Sequence, residues 1–108
     1  MYTRLENKMT KSYFREILDS ALAQAKQDYE NSPTVSLNVS IYNQLVDIQE
    51  TIVIENIVLT EEESRKKYPL GVMVIRNFDG YIDQDWDYPK KLVDIAGGIS
   101  RYPTMPEN

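Results

Sequence analysis

A chain of 108 residues, 42% hydrophobic and 27% charged, has the composition of an ordinary folded protein and the length of one unit. Cysteine and histidine are both absent, which excludes a disulfide framework, thiolate zinc sites, cysteine nucleophiles, histidine triads and histidine metal ligands. Twelve Lys and Arg against 17 Asp and Glu leave a net charge of −5, the wrong sign for gripping nucleic acid or an anionic membrane and the right one for a basic partner.

Met1–Lys8 holds no apolar stretch of the kind a secretory leader needs. The longest apolar run, Leu70-Gly71-Val72-Met73-Val74-Ile75, is far shorter than a membrane span. The expectation is a soluble, cytoplasmic chain forming a single domain over 1–108, with irregular ends at 1–9 and 99–108.

Residues 1–9 mix charges with scattered apolar side chains and read as a frayed lead-in. Thr10 or Ser12 can cap a first helix running to about Asn31. Phe14, Ile17, Leu18, Ala21, Leu22, Ala25 and Tyr29 recur at three- and four-residue steps along it, one apolar stripe over several turns. Asn31-Ser32-Pro33 supplies the stop, an Asn tolerant of left-handed backbone followed by a residue that cannot continue a helix. From Thr34, Leu37, Val39 and Ile41 alternate as in a strand. Leu37, Ile41, Leu45, Ile48 and Ile52 step as in a helix, and this longer pattern predicts a second helix from about Ser36 to Ile54, antiparallel to the first. Glu55-Asn56 is the break.

Thr60-Glu61-Glu62-Glu63 has the form of a capping box, with acids at the positive end of a short helix over 61–67 and Arg65, Lys66 and Lys67 at its negative end. Tyr68-Pro69 closes it. Leu70–Phe78 is ambiguous in local terms. Val72, Val74 and Ile75 favour a strand, which would make the fold α+β. Leu70, Met73, Val74, Asn77 and Phe78 form a helical stripe, and no partner strand is legible elsewhere. Asp87 can cap a last helix whose buried side is Leu92, Ile95 and Ala96 and which Gly97-Gly98 ends. The expected fold is an all-α antiparallel bundle of about five helices.

Asp83-Gln84-Asp85-Trp86-Asp87 imitates the start of a calcium loop, but Tyr88 stands where that loop needs glycine and Asp94 where it needs a bidentate Glu. No metal, cofactor or catalytic residue is assigned. Paired carboxylates could serve acid–base chemistry only in a pocket that perturbs one of them, and a loop this hydrophilic is solvated. The glycines form no phosphate cradle. The better reading of Asp79, Tyr81, Asp83, Asp85, Trp86, Asp87 and Tyr88 is a protein-binding loop. Aromatics supply rigid contact area there, and carboxylates steer a basic partner. A solvated loop whose Trp86 tucks into the chain's own core is the competing reading.

Gln44-Leu45-Val46-Asp47-Ile48, then Leu59-Thr60, then Tyr68-Pro69-Leu70-Gly71-Val72-Met73-Val74-Ile75-Arg76-Asn77-Phe78-Asp79 resemble the small immunity proteins that protect bacteria from type VI-secreted NAD(P)-degrading toxins. Order and spacing agree over about residues 13–98. The resemblance implies an all-helical bundle, hence a helix over 70–78. It also implies a non-enzymatic role, in which the chain binds a cognate antibacterial toxin domain and covers its active site. That toxin would be an NAD(P) glycohydrolase, or another nucleotide-handling enzyme. Two other functions fit the residues: an acidic inhibitor mimicking nucleic acid, and a small structural or adaptor subunit. A homo-oligomer is compatible with each.

Overall fold

The computed structural model describes residues 2–78, 80 and 86–108, and these form helices and turns with no strand among them. The helices are α1 (Lys11–Asn31), α2 (Ser36–Ile48), α3 (Glu61–Lys67), α4 (Leu70–Asn77) and α5 (Asp87–Gly98). The all-α expectation holds, and the α+β alternative falls because Leu70–Asn77 is helical.

Helix α1 begins where a hydroxyl can replace a missing intrahelical partner: Thr10 Oγ1 accepts from the Tyr13 amide at 3.1 Å. Its stripe of Phe14, Ile17, Leu18, Ala21 and Ala25 is buried. The stop works differently from the left-handed Asn expected. Asn31 stays helical, and the Ser32 amide donates to the Asp28 carbonyl, which also accepts from the Asn38 side chain at 3.2 Å. The left-handed Asn is Asn56, with φ 56°, in the break after the second helix.

The stretch expected as one helix from Ser36 to Ile54 widens at Gln49–Ile54 into a π turn, with the Glu55 amide donating to the Glu50 carbonyl at 2.9 Å. Thr51, Ile52, Val53 and Ile54 are consecutive β-branched residues, and their crowding against the preceding turn disfavours regular α geometry. Helices α1 and α2 run antiparallel: Tyr29 stacks on Tyr42 at 5.4 Å between ring centres, and Gln49 reaches Asp19 thirty residues back.

The capping box at α3 is complete. Glu63 N donates to Thr60 Oγ1 at 3.1 Å and Thr60 N donates to Glu63 Oε1 at 2.9 Å. The Thr60 amide, with the Thr60 side chain second, holds the Glu63 carboxyl below its ordinary pKa. The far end of α3 is tied to α2 through Tyr68, whose hydroxyl donates to Asp47 Oδ2 at 2.6 Å. Burial and that bond push the Tyr68 phenol up to about 12.

Helices α4 and α5 form an antiparallel hairpin. Gly71 lies so close to Ala96 that a Cβ there would sit 3.8 Å from the alanine methyl, while at the other end Phe78 meets Tyr88. Two expectations for α5 need correcting. Asp87 is its first helical residue, not its cap; Trp86 takes the cap position without a side-chain hydrogen bond. Gly98 does not end α5 by adopting a left-handed turn, since no positive φ occurs there. It is glycine because an added Cβ would come within 2.9 Å of Leu5 Cδ2 and Phe14 Cε2.

The chain ends also differ from the irregular segments expected. Leu5–Asn7 and Tyr102–Thr104 are short 3₁₀ turns, and Leu5, Ile99, Tyr102 and Met105 join the core. Arg4 grips Asp94 with Nε at 2.9 Å from Oδ2 and Nη2 at 2.7 Å from Oδ1, while Tyr2 Oη and the Leu5 amide also donate to Oδ2. Burial raises the Asp94 pKa, but Arg4, Tyr2 and the Leu5 amide outweigh it and leave the carboxyl below the usual range. The tail returns to the start of α1, where Lys11 and Ser12 amides donate to the Pro106 and Glu107 carbonyls and Arg15 pairs with Glu107.

Candidate protein-binding surfaces

Of the loop residues singled out from sequence, Asp79, Tyr81, Asp83 and Asp85 lie outside the described residues. Trp86, Asp87 and Tyr88 are described, and their roles differ. Trp86 is 47% exposed, so it does not tuck into the core. Its indole meets the Phe78 ring edge-on at 5.3 Å and lies 6.2 Å from the Tyr88 ring, and Phe78 and Tyr88 are themselves perpendicular at 6.3 Å. Tyr88 is buried, and burial, with the charge of Asp28 second, raises its pKa. Tyr88 and Phe78 therefore form the base on which the indole rests. The indole alone among the described residues of that loop offers large apolar area to solvent, its orientation fixed by ring packing before any partner arrives.

Asp87 lines a polar cleft of about 330 Å³ between the N-terminal segment, α1 and α5, together with Tyr2, Tyr13, Glu16, Ser20 and Lys91. Lys91 Nζ donates to Ser20 Oγ at 2.7 Å and lies 5.7 Å from the centre of the Tyr2 ring. Glu16 and Asp87 against Lys91 leave the cleft lining with two acids and one base. Burial, then the charges of Glu16 and Asp94 with a smaller share from Asp87, raise the Tyr13 phenol. Trp86 and Asp87 are adjacent, so the exposed indole stands beside this cleft and its two acids.

A second concave surface, which sequence reading missed, lies at the other end of the α4–α5 hairpin. A groove of about 270 Å³ opens between α3, α4 and α5, with Tyr68, Pro69, Val72, Ile75, Val93 and Ala96 among its lining residues. Val72 and Ile75 stand at its edge, 50% and 66% exposed. The signal was present: they are three apart on α4, while Leu70 and Val74 are the buried pair. Local propensity suggested a strand. On a helix the same residues become an exposed apolar stripe.

Nothing among the described residues gathers three or more carboxylates into a metal site. Asp94, at the twelfth position of the calcium-loop imitation, is committed to Arg4, Tyr2 and the Leu5 amide. No helix of the described residues is long and apolar enough to cross a membrane.

Comparison with curated proteins gives no match, and comparison with solved structures gives none. The family comparison is positive: the Tsi6 family model matches residues 13–101, from the first turn of α1 to just past the end of α5. That span includes Gln44–Ile48, the α3 capping box and the α4 segment, where the resemblance to immunity proteins was legible. The chain belongs to the Tsi6 family and is a type VI secretion immunity protein.

Proposed function

We propose that this immunity protein acts by stoichiometric binding: it covers the active site of its cognate antibacterial toxin, presents Trp86 as the anchor, and performs no catalysis. The observation that carries the reading is the indole itself, nearly half exposed yet held on one side by Phe78 and Tyr88. A rigid aromatic beside acidic groups is the arrangement expected at an interface centre, where a few residues supply most of the binding energy. Asp79, Asp83, Asp85 and Asp87, with Tyr81, extend that contact as steering charge and rim.

The toxin is an NAD(P) glycohydrolase in this reading, on the strength of the sequence resemblance, and the protein works in the cytoplasm, where that substrate is held. Silencing an enzyme present at few copies calls for a dissociation constant at or below nanomolar, about −12 kcal/mol. The acids near α3 weigh against mimicry of nucleic acid. Glu63 serves the capping box, and Glu61 and Glu62 pair with Arg65 and Lys66 one turn on, so they form no row of free charge.

Co-expression with the toxin domain encoded beside it tests the proposal. Growth and cellular NAD(P) should both be restored. Restored growth with NAD(P) never depleted by the toxin alone would keep the binding role and overturn the toxin assignment. No rescue by folded protein would overturn the binding role itself.

A further inference from the structure

We infer that the groove between α3, α4 and α5 is a homodimer interface, seated on a second copy of this chain through a two-fold axis. The inference stands apart from toxin binding, because it uses the far end of the α4–α5 hairpin from Trp86.

Shape comes first. The same surface carries a projecting apolar element and a recess to receive one: Ile75 and Val72 stand proud at the edge of the groove they help to line. A projection beside its own recess suits a two-fold axis, since each copy then fills the other's recess with the identical side chain. Val72 and Ile75 stay in water while Leu70 and Val74 are the buried residues of α4 and Met73 packs against the core beside them.

Charge then selects the occupant. The chain as a whole carries −5, and two copies meet with least repulsion on a neutral face. This face is neutral. Glu61 and Arg65 are the charged residues lining the groove, and α3 sums to zero, with Glu61, Glu62 and Glu63 in its first turn and Arg65, Lys66 and Lys67 in its last. Acid at one end and base at the other make α3 self-complementary when two copies pack antiparallel, so that Glu61 of each copy faces Arg65 of the other. Both groups are mostly exposed, and their ion pair within the helix, at 3.7 Å, leaves each open to a second partner from outside. A basic toxin drawn by the chain's excess acid would find no attraction here, whereas a second copy meets no repulsion.

Sedimentation and native mass spectrometry of the intact protein test this. The expected species is twice the 12.6 kDa chain mass. Ile75→Glu should weaken self-association by roughly a hundredfold, through burial of like charges at the axis, with helicity and toxin neutralisation unchanged. Two further variants leave Thr60 and Glu63, and so the capping box, intact. Glu61→Lys/Glu62→Lys and Arg65→Glu/Lys66→Glu should each dimerise poorly alone and form a heterodimer when mixed. A wild type that stays monomeric at high micromolar concentration overturns the inference. So does a dimer indifferent to Ile75→Glu, or a charge-swapped pair that fails to associate on mixing. Loss of toxin binding by Ile75→Glu in a monomeric protein also overturns it and gives the groove to the toxin.

Discussion

The two ends of the α4–α5 hairpin stand only about 10 Å apart along the helix axes, by helical rise from Gly71 to Phe78, yet they expose opposite chemistry. One end presents an indole propped on the half-buried Phe78 and the buried Tyr88, beside a polar cleft lined by Glu16, Asp87 and Lys91. The other presents aliphatic side chains over a groove whose lining carries one acid and one base. Between them the hairpin is interior, with Leu70, Val74, Leu92 and Ile95 buried. The same two helices thus satisfy the fold with their inner faces and leave two surfaces that folding does not require. Such surfaces mark contacts with other molecules when they are apolar and preformed. The acidic end suits a partner of opposite charge. The neutral end suits a partner like itself.

That contrast can be broken most severely from within. Leu92 is fully buried on α5, and Leu92→Ala should cost about 3 kcal/mol of stability through lost transfer energy and the cavity left behind. Urea unfolding followed by far-UV circular dichroism would show the midpoint fall with little change in slope, and both surfaces would weaken only as far as the chain unfolds. An unchanged midpoint would contradict the packing described here.

Trp86→Ala separates the ends. It should weaken toxin binding by about 2 kcal/mol, roughly 30-fold, while leaving the fold and self-association intact and costing stability only the ring contacts with Phe78 and Tyr88. Affinity at the wild-type level in the folded variant would move the toxin site elsewhere.

The smallest effect belongs to the clasp that anchors α5 to the N-terminal segment. Asp94 titrates below the unfolded aspartate value of about 3.9. Its contribution is therefore present above that pH and is lost as pH falls through the folded value. Arg4 is a third exposed, so the pair should be worth about 1 kcal/mol rather than the larger figure of a fully buried bridge. In thermal scans, Asp94→Asn should lower the midpoint near neutral pH and flatten its decline below about pH 4. An acid limb equally steep in the variant would assign that loss to other carboxylates. The alkaline limb has its own source. Tyr68, pushed up to about 12 by burial and its bond to Asp47, keeps its full contribution below the ordinary tyrosine value of about 10 and loses it as pH rises through 12.

Where physical signals are local, the fold was legible in the sequence. The Thr60–Glu63 box placed α3 to the residue, and the stripe from Phe14 to Ala25 placed α1, because caps and periodicity act within a few residues. Helix α4 was not settled locally: Val72, Val74 and Ile75 favour a strand, and packing of Leu70 and Val74 into the core overrides that preference. What connects distant segments left no periodic trace. Arg4 and Asp94 are 90 positions apart, and nothing near either announces the other. Gly98 read as a stop signal because glycine ends helices, whereas its cause is the approach of Leu5 and Phe14 from elsewhere in the chain. Of the acidic and aromatic cluster that the sequence offers as a site, Trp86, Asp87 and Tyr88 lie among the described residues. Its division into an exposed Trp86 and a buried Tyr88 depends on Phe78, on a different helix end, and so became visible only in three dimensions.

Calorimetric titration of the purified toxin domain with this protein, read alongside the toxin's turnover, tests the central account most directly. The account predicts one chain bound per toxin, a dissociation constant at or below nanomolar, and loss of turnover at that same ratio. Absence of binding, or a toxin that stays fully active when saturated with folded protein, would contradict it.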